Sequence, residues 1–266
     1  VAAPEWDDAE DEEGPVAFDR RAMEGMMAGL GAALGGARRP ADAKLREAQQ
    51  LMYQAWEVDN PARRLALAHR ALALSPNCAD AYVLLAEEEA DTAARALDLY
   101  QQGVAAGERA LGPEYFTEEV GHFWGFLESR PYLRALAGLA ETLWSLGRRA
   151  EAAGHYRELL RLNPNDNQGN RYVLLNLLLE SGDDAGAREL LGQYDDGMAE
   201  WQYTRALLEF KAGGSSPAAQ RQLDAALGHN PHVPAYLTGQ KRLPLRLPPT
   251  MGWGDESEAQ HYAARY

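Results

Sequence analysis

Residues 133–164 read LRALAGLAETLWSLGRRAEAAGHYRELLRLNP. Apolar residues recur here at helical spacing, first through Leu136, Leu139, Ala140 and Leu143, then again beyond Gly147. Gly147 falls where a turn would separate two antiparallel helices. Ala152 and Tyr156 then continue the apolar face on the second helix. The small residues Ala140 and Ala152 permit a close helix crossing, and Tyr156 fills the space beside it. Pro164 stops the second helix, because proline supplies no N–H and restricts the residue before it.

The same punctuation recurs along the chain. Ser75-Pro76-Asn77, Asn163-Pro164-Asn165 and Asn230-Pro231 each close an apolar-periodic stretch. Pro164 and Pro231 lie close to two 34-residue steps apart, and a 34-residue helix–turn–helix period marks tetratricopeptide repeats. Leu51, Met52, Ala68 and Ala71 fit the pattern, as do Tyr82, Leu85, Ala86, Ala96, Tyr100 and Gly103. So do Leu174, Leu177, Gly182, Ala187 and Leu191, and finally Trp201, Ala206, Ala219 and Leu223. The expected fold is all-α: a tetratricopeptide-type solenoid, a right-handed superhelix of about five helix pairs, closed by a non-repeat C-terminal cap. Residues 1–40 read as an acidic, disordered leader with a short helix near 17–28. Residues 41–231 form the repeats, interrupted by an insertion at 113–130. Residues 232–266 form the cap, with a helix starting near Asp255.

Charge narrows the functional classes. The 266 residues carry 26 Lys+Arg against 40 Asp+Glu, a net −14. Residues 1–13 hold seven carboxylates and no base, which leaves the rest of the chain at −7. A phosphate-tracking surface needs an excess of Lys and Arg on one face, so nucleic acid is not an expected partner, and neither is an anionic membrane. The longest charge-free apolar stretch, residues 25–37, is too short to span a bilayer. Arg20-Arg21 ahead of it imitates an export signal, but the acidic start and Glu24 speak against one. The single cysteine, Cys78, excludes an internal disulfide and fits a reducing compartment, so a cytoplasmic location is expected. The chain begins with Val, which leaves room for missing N-terminal residues.

No residue set announces catalysis. His69, His122, His155, His229, His232 and His261 are scattered, and the Gly29/Gly31 and Gly35-Gly36 pairs lack a preceding strand. No metal, cofactor or catalytic residue is expected. Glu87-Glu88-Glu89 point about 100° apart on a helix and cannot converge, yet Glu87 and Glu141 occupy first-helix positions that face the groove of such a stack. A mildly acidic groove favours a basic or neutral peptide. The chaperone-binding version of the repeat needs Lys and Asn at set groove positions, where this chain has Val83/Glu87 and Ala137/Glu141, so a chaperone tail is not expected. Residues 163–171 (NPNDNQGNR) read first as a repeat boundary and helix cap, and second as a grip on an extended backbone. Tyr115, Phe116, Phe123, Trp124 and Phe126 are too aromatic for a free loop; they either cover the second repeat or form a partner pocket.

Residues 78–90 (CADAYVLLAEEEA), then Leu97 to Tyr100 and Ala106-Gly107-Glu108, resemble the suppression-of-tumorigenicity-seven family. So does the tail, NPHVPAYL at 230–237 and GDESEA at 254–259, followed by Tyr262-Ala263. The middle block, 122–125 and 128–132 with 163–171, is similar to bacterial tetratricopeptide proteins of this layout. The resemblance implies a helical-repeat interaction protein and supplies no catalytic residue. Its animal members look membrane-associated through segments beyond this region. The tail reads physically as a cap in which Val233, Tyr236 and Leu237 cover the last repeat.

The function expected from these readings is non-enzymatic capture of a protein or peptide in the groove. Tyr53, Trp56, Glu87, Glu141, Trp144, Arg171 and Trp201 are the candidate contacts. The rivals are a self-associating subunit, dimerised through the aromatic insertion, and a small-molecule or enzymatic pocket beneath the insertion and tail.

Overall fold

The computed structural model describes residue 21, residues 23–27 and residues 42–265. The expected disorder of residues 1–40 lies almost wholly outside the described residues. No strand occurs among the described residues. The helices are α1 (residues 23–27), α2 (Ala43–Trp56), α3 (Pro61–Leu74), α4 (Ala79–Glu88), α5 (Ala93–Leu111), α6 (Tyr115–Glu118), α7 (Arg130–Ser145) and α8 (Arg149–Leu162). They continue with α9 (Asn170–Glu180), α10 (Asp184–Gln193), α11 (Ala199–Gly213), α12 (Pro217–His229), α13 (Val233–Leu237) and α14 (Glu256–Ala263). The chain forms two compact units, residues 1–142 and residues 143–266.

The helix starts follow from the sequence. Asp42, Asn60, Thr92, Asp183, Ser216 and Asp255 each accept a backbone N–H of the first turn they precede. Pro61 and Pro217 occupy first-turn positions, where the missing N–H costs nothing. The stops follow as well: α3, α8 and α12 each end two residues before Pro76, Pro164 and Pro231. Within the first unit α2 pairs with α3 and α4 with α5; within the second, α9 pairs with α10 and α11 with α12. The fold is therefore an all-α array of tetratricopeptide-type helix pairs. The positions anticipated in residues 133–164 are interior: Leu136, Leu139, Ala140, Leu143, Ala152 and Tyr156 are all buried.

One contact in the first unit is set by a glycine. A Cβ at Gly138 of α7 would lie 2.1 Å from Cε1 of Tyr100 on α5, so only glycine lets the ring seat against the helix. Gly154, inside α8, has open space around the same position. Gly138→Ala is expected to destabilise by about 1–3 kcal/mol through overpacking, whereas Gly154→Ala should stabilise by about 0.5–1 kcal/mol through helix propensity. Thermal melts of the two variants check this; equal melts would remove the close approach.

The insertion folds inward. Ring pairs Tyr115–Phe123, Phe116–Tyr132 and Tyr115–Phe126 meet near edge-on at 5.1, 5.0 and 6.1 Å, and Phe123 is fully buried. Ser129 donates its hydroxyl to the carbonyls of Phe123 and Phe126, closing the turn into α7. In the second unit Val233, Tyr236 and Tyr262 pack with Ala199, Tyr203 and Ala226 of α11 and α12. Leu237, expected in that cap, is instead 46% exposed, because α13 is a single short turn with one face inward.

Candidate functional site

Three first-of-pair helices of the first unit, α2, α4 and α7, send side chains to a common place. Arg134 of α7 binds Asp80 of α4 through two N–H groups, Nε to Oδ1 at 2.8 Å and Nη2 to Oδ2 at 2.7 Å. Gln49 of α2 donates to the same carboxylate at 2.6 Å. Burial opposes the Arg134 charge, but the Asp80 and Glu24 carboxylates outweigh it and its pKa is raised. Arg134 also lies over the Trp56 ring, 5.1 Å from its centroid. The Trp56 N–H is buried without an acceptor. Tyr53 is 5% exposed beside it, its rings 5.9 Å from those of Trp56.

Glu87, at the exposed end of this surface, flanks Tyr100 together with Glu141. Burial, then these two carboxylates, push the Tyr100 hydroxyl up to about 12. Cys78, at the start of α4, is fully buried and its thiol is likewise pushed up to about 12, first by burial and then by Asp80.

Helix α1 rests on this surface. Glu24, 3% exposed, accepts from Arg130 at 3.1 Å and from Arg134 at 2.7 Å. Arg21 makes a fork with Glu87, at 3.1 and 2.9 Å, and stands over Trp56 at 5.2 Å. Of the sequence candidates, Tyr53, Trp56, Glu87 and Glu141 thus gather in one unit. The surface has two signs, guanidinium at one end and carboxylate at the other, where the sequence suggests a mildly acidic groove.

The remaining candidates lie in the second unit. Half-buried Trp144 donates its indole N–H to Glu180 at 3.1 Å. Arg171 is committed internally: Nε to Asp196 at 2.9 Å, Nη1 to Asp166 at 3.2 Å and Nη2 to the Tyr172 hydroxyl at 3.0 Å. Asp166 in turn accepts the Asn170 and Arg171 backbone N–H groups at 2.7 and 3.0 Å, so residues 163–171 fold as the cap of α9. Trp201 is fully buried against Tyr172 and Tyr194 and offers no surface to a ligand.

Sequence reading passed over Arg130, Arg134, Asp80 and Glu24. The available signal was Arg130 and Arg134 one turn apart on a helix of an otherwise acidic chain. Among the described residues no cluster of His, Cys, Asp and Glu is arranged to hold a metal ion, and no helix is long and apolar enough to cross a membrane. Depressions of about 430 and 420 Å³ occur beside Leu174 and Tyr194 and beside Gln54 and Arg63. Neither is lined by the insertion or the tail.

Helix pairs of this length and punctuation define a helical-repeat protein of tetratricopeptide type. The chain belongs to the ST7 family, whose model, described as ST7 protein, matches residues 40–265. It is 33% identical over 252 residues to the protein ST7 homolog of Drosophila pseudoobscura pseudoobscura, covering 82% of this chain and 44% of that one. It is 32% identical over 266 residues to the suppressor of tumorigenicity 7 protein of Macaca fascicularis, covering 82% and 49%. The chain thus spans under half the length of these curated relatives. Among solved structures it is similar to YrrB, described as a TPR protein with an unusual peptide-binding site, at 20% identity and a TM-score of 0.48, covering 74% of this chain and 90% of that one.

Proposed function

We propose that the chain is a non-enzymatic scaffold that captures a protein or peptide segment on the α2–α4–α7 surface of its first unit. The observation that carries this reading is the convergence of Trp56, Glu87, Arg130 and Arg134 on a surface that already holds a helical segment by side-chain contacts. Trp56 and the arginines are residue types that concentrate binding energy. Glu141 lies at the edge of the same surface. Trp144 is a second-unit candidate with an exposed partner in Glu180. A cytoplasmic setting fits the single buried thiol. The dimer reading draws no support from the insertion, whose rings turn inward.

The test is a peptide-display selection against the full chain. Selected peptides are expected to lose affinity at least about tenfold on Trp56→Ala, with far-UV helicity unchanged. A selection that returns no binder, or binders indifferent to Trp56→Ala, overturns the reading.

A further inference from the structure

Helix α1 is seated in an unusual way for a structural element. It buries its one carboxylate, Glu24, and leaves Met23, Met26 and Met27 39, 76 and 47% exposed. A helix that belongs to a core does the reverse, because burial of apolar area is what holds it there. Here the attachment is polar and positional. Arg21 and Glu24, three apart, share one helix face. Arg21 enters between Glu87 and the Trp56 ring, while Glu24 enters between Arg130 and Arg134. Gly25 follows against Tyr53, where a Cβ would lie 3.1 Å from the tyrosine Cβ. Tyr53 is buried, so a side chain added at residue 25 meets a packed ring rather than solvent.

We propose that this surface is a receptor for a short helix carrying a basic residue, an acidic residue three positions later and glycine immediately after, and that the chain's own Arg21 and α1 are its resident occupant. The proposal rests on the peptide-capture reading above and names its ligand. Each element of the pattern has its own receiver: Glu87 with Trp56 for the cation, the Arg130/Arg134 pair for the carboxylate, Tyr53 for the missing side chain. The two signs of the surface also fix direction, since a reversed helix would set carboxylate against Glu87 and guanidinium against Arg134. Partner binding is consequently competitive with the chain's own segment. An external helix of equal intrinsic affinity faces a tethered rival at an effective concentration on the order of millimolar for short linkers.

The probe is a fluorescent peptide of residues 17–30, AFDRRAMEGMMAGL, titrated by anisotropy into the full-length chain and into its Gly25→Leu variant. That substitution lies in α1, alters no receiving residue, and expels the occupant by collision with Tyr53. Binding is expected to be at least about tenfold tighter to the Gly25→Leu chain. A peptide with Glu24→Arg should not bind. In the Gly25→Leu background, Glu87→Arg should weaken the native peptide about tenfold and restore binding to a peptide with Arg21→Glu; Glu87 is on the surface, so helicity serves as the fold control. Equal binding to both chains, or indifference to the charge exchange, overturns the proposal. If display-selected peptides bind while the 17–30 peptide does not, the inference falls and the capture reading stands. If neither binds, both fall.

Discussion

Arg134→Ala is expected to destabilise the first unit by about 3–5 kcal/mol, the range for removing one partner of a buried ion pair. The cost comes from what is left behind. Asp80 is fully buried and would keep only Gln49 as a partner, while Glu24 would keep only Arg130. Removing charge from both sides tells the pair's net worth apart from the penalty of orphaning it. Arg134→Met combined with Asp80→Asn should recover at least half of the loss, because a methionine fills the arginine stem's volume without needing an anion. The measurement is amide exchange of α4 and α7 under native conditions, in which protection falls by the same free energy as stability. A loss below about 1 kcal/mol would mean that solvent reaches the pair and screens it as it does surface pairs.

This network shows where sequence reading stopped. The repeat positions were legible because they are apolar and small residues at a fixed period, and burial is the only demand on them. Leu136, Ala140, Ala152 and Tyr156 need nothing beyond spacing to be placed. Asp80 and Arg134 are different: each is charged, so periodicity sends it outward, and only the approach of another helix makes it interior. Residue 80 falls in the first turn of α4, where an acid reads simply as favourable to the helix dipole. Glu24 was hidden in a segment whose glycine content and acidic neighbour read as a leader. Trp201 failed in the opposite direction. A tryptophan at a first-helix position reads as a groove anchor, but Tyr194 just ahead of it and Tyr172 on the preceding helix pair enclose it. Tyr53, Trp56, Glu87 and Glu141 share one unit because their positions on α2, α4 and α7 follow directly from the repeat. What they contact was set by a helix on the far side of residues 28–41.

The largest effect in the second unit is expected from Glu258→Ala. Glu258 is 2% exposed and collects four donors: the backbone N–H of Ala199 and of Gly254, each at 2.9 Å, the Asn230 amide at 2.8 Å and the His229 ring at 3.0 Å. These come from the start of α11, the approach to α14 and the end of α12, so one carboxylate ties three chain segments together. Deleting it strands at least two backbone donors and an amide, at about 1–3 kcal/mol each, and a total near 3–5 kcal/mol follows because the losses share one cavity and do not add fully. Glu258→Gln keeps one acceptor oxygen but turns an N–H₂ group toward donors, so its loss should lie between alanine and wild type. Gly254→Ala is an independent probe of the same closure. Residue 254 has φ +70°, and a Cβ there would lie 2.8 Å from the His229 carbonyl, so about 2 kcal/mol or more is expected from strain and displacement. In each variant α13 and α14 should leave the second unit, uncovering Tyr203 and Ala226, with cleavage by a protease between residues 238 and 254 as the readout. A tail that stays protected in Glu258→Ala would show that the Tyr203–Tyr262 packing alone retains it. The two halves of the tail pattern, NPHVPAYL and GDESEA, are therefore one device: Asn230 in the first and Glu258 in the second meet across 28 residues, both of them buried.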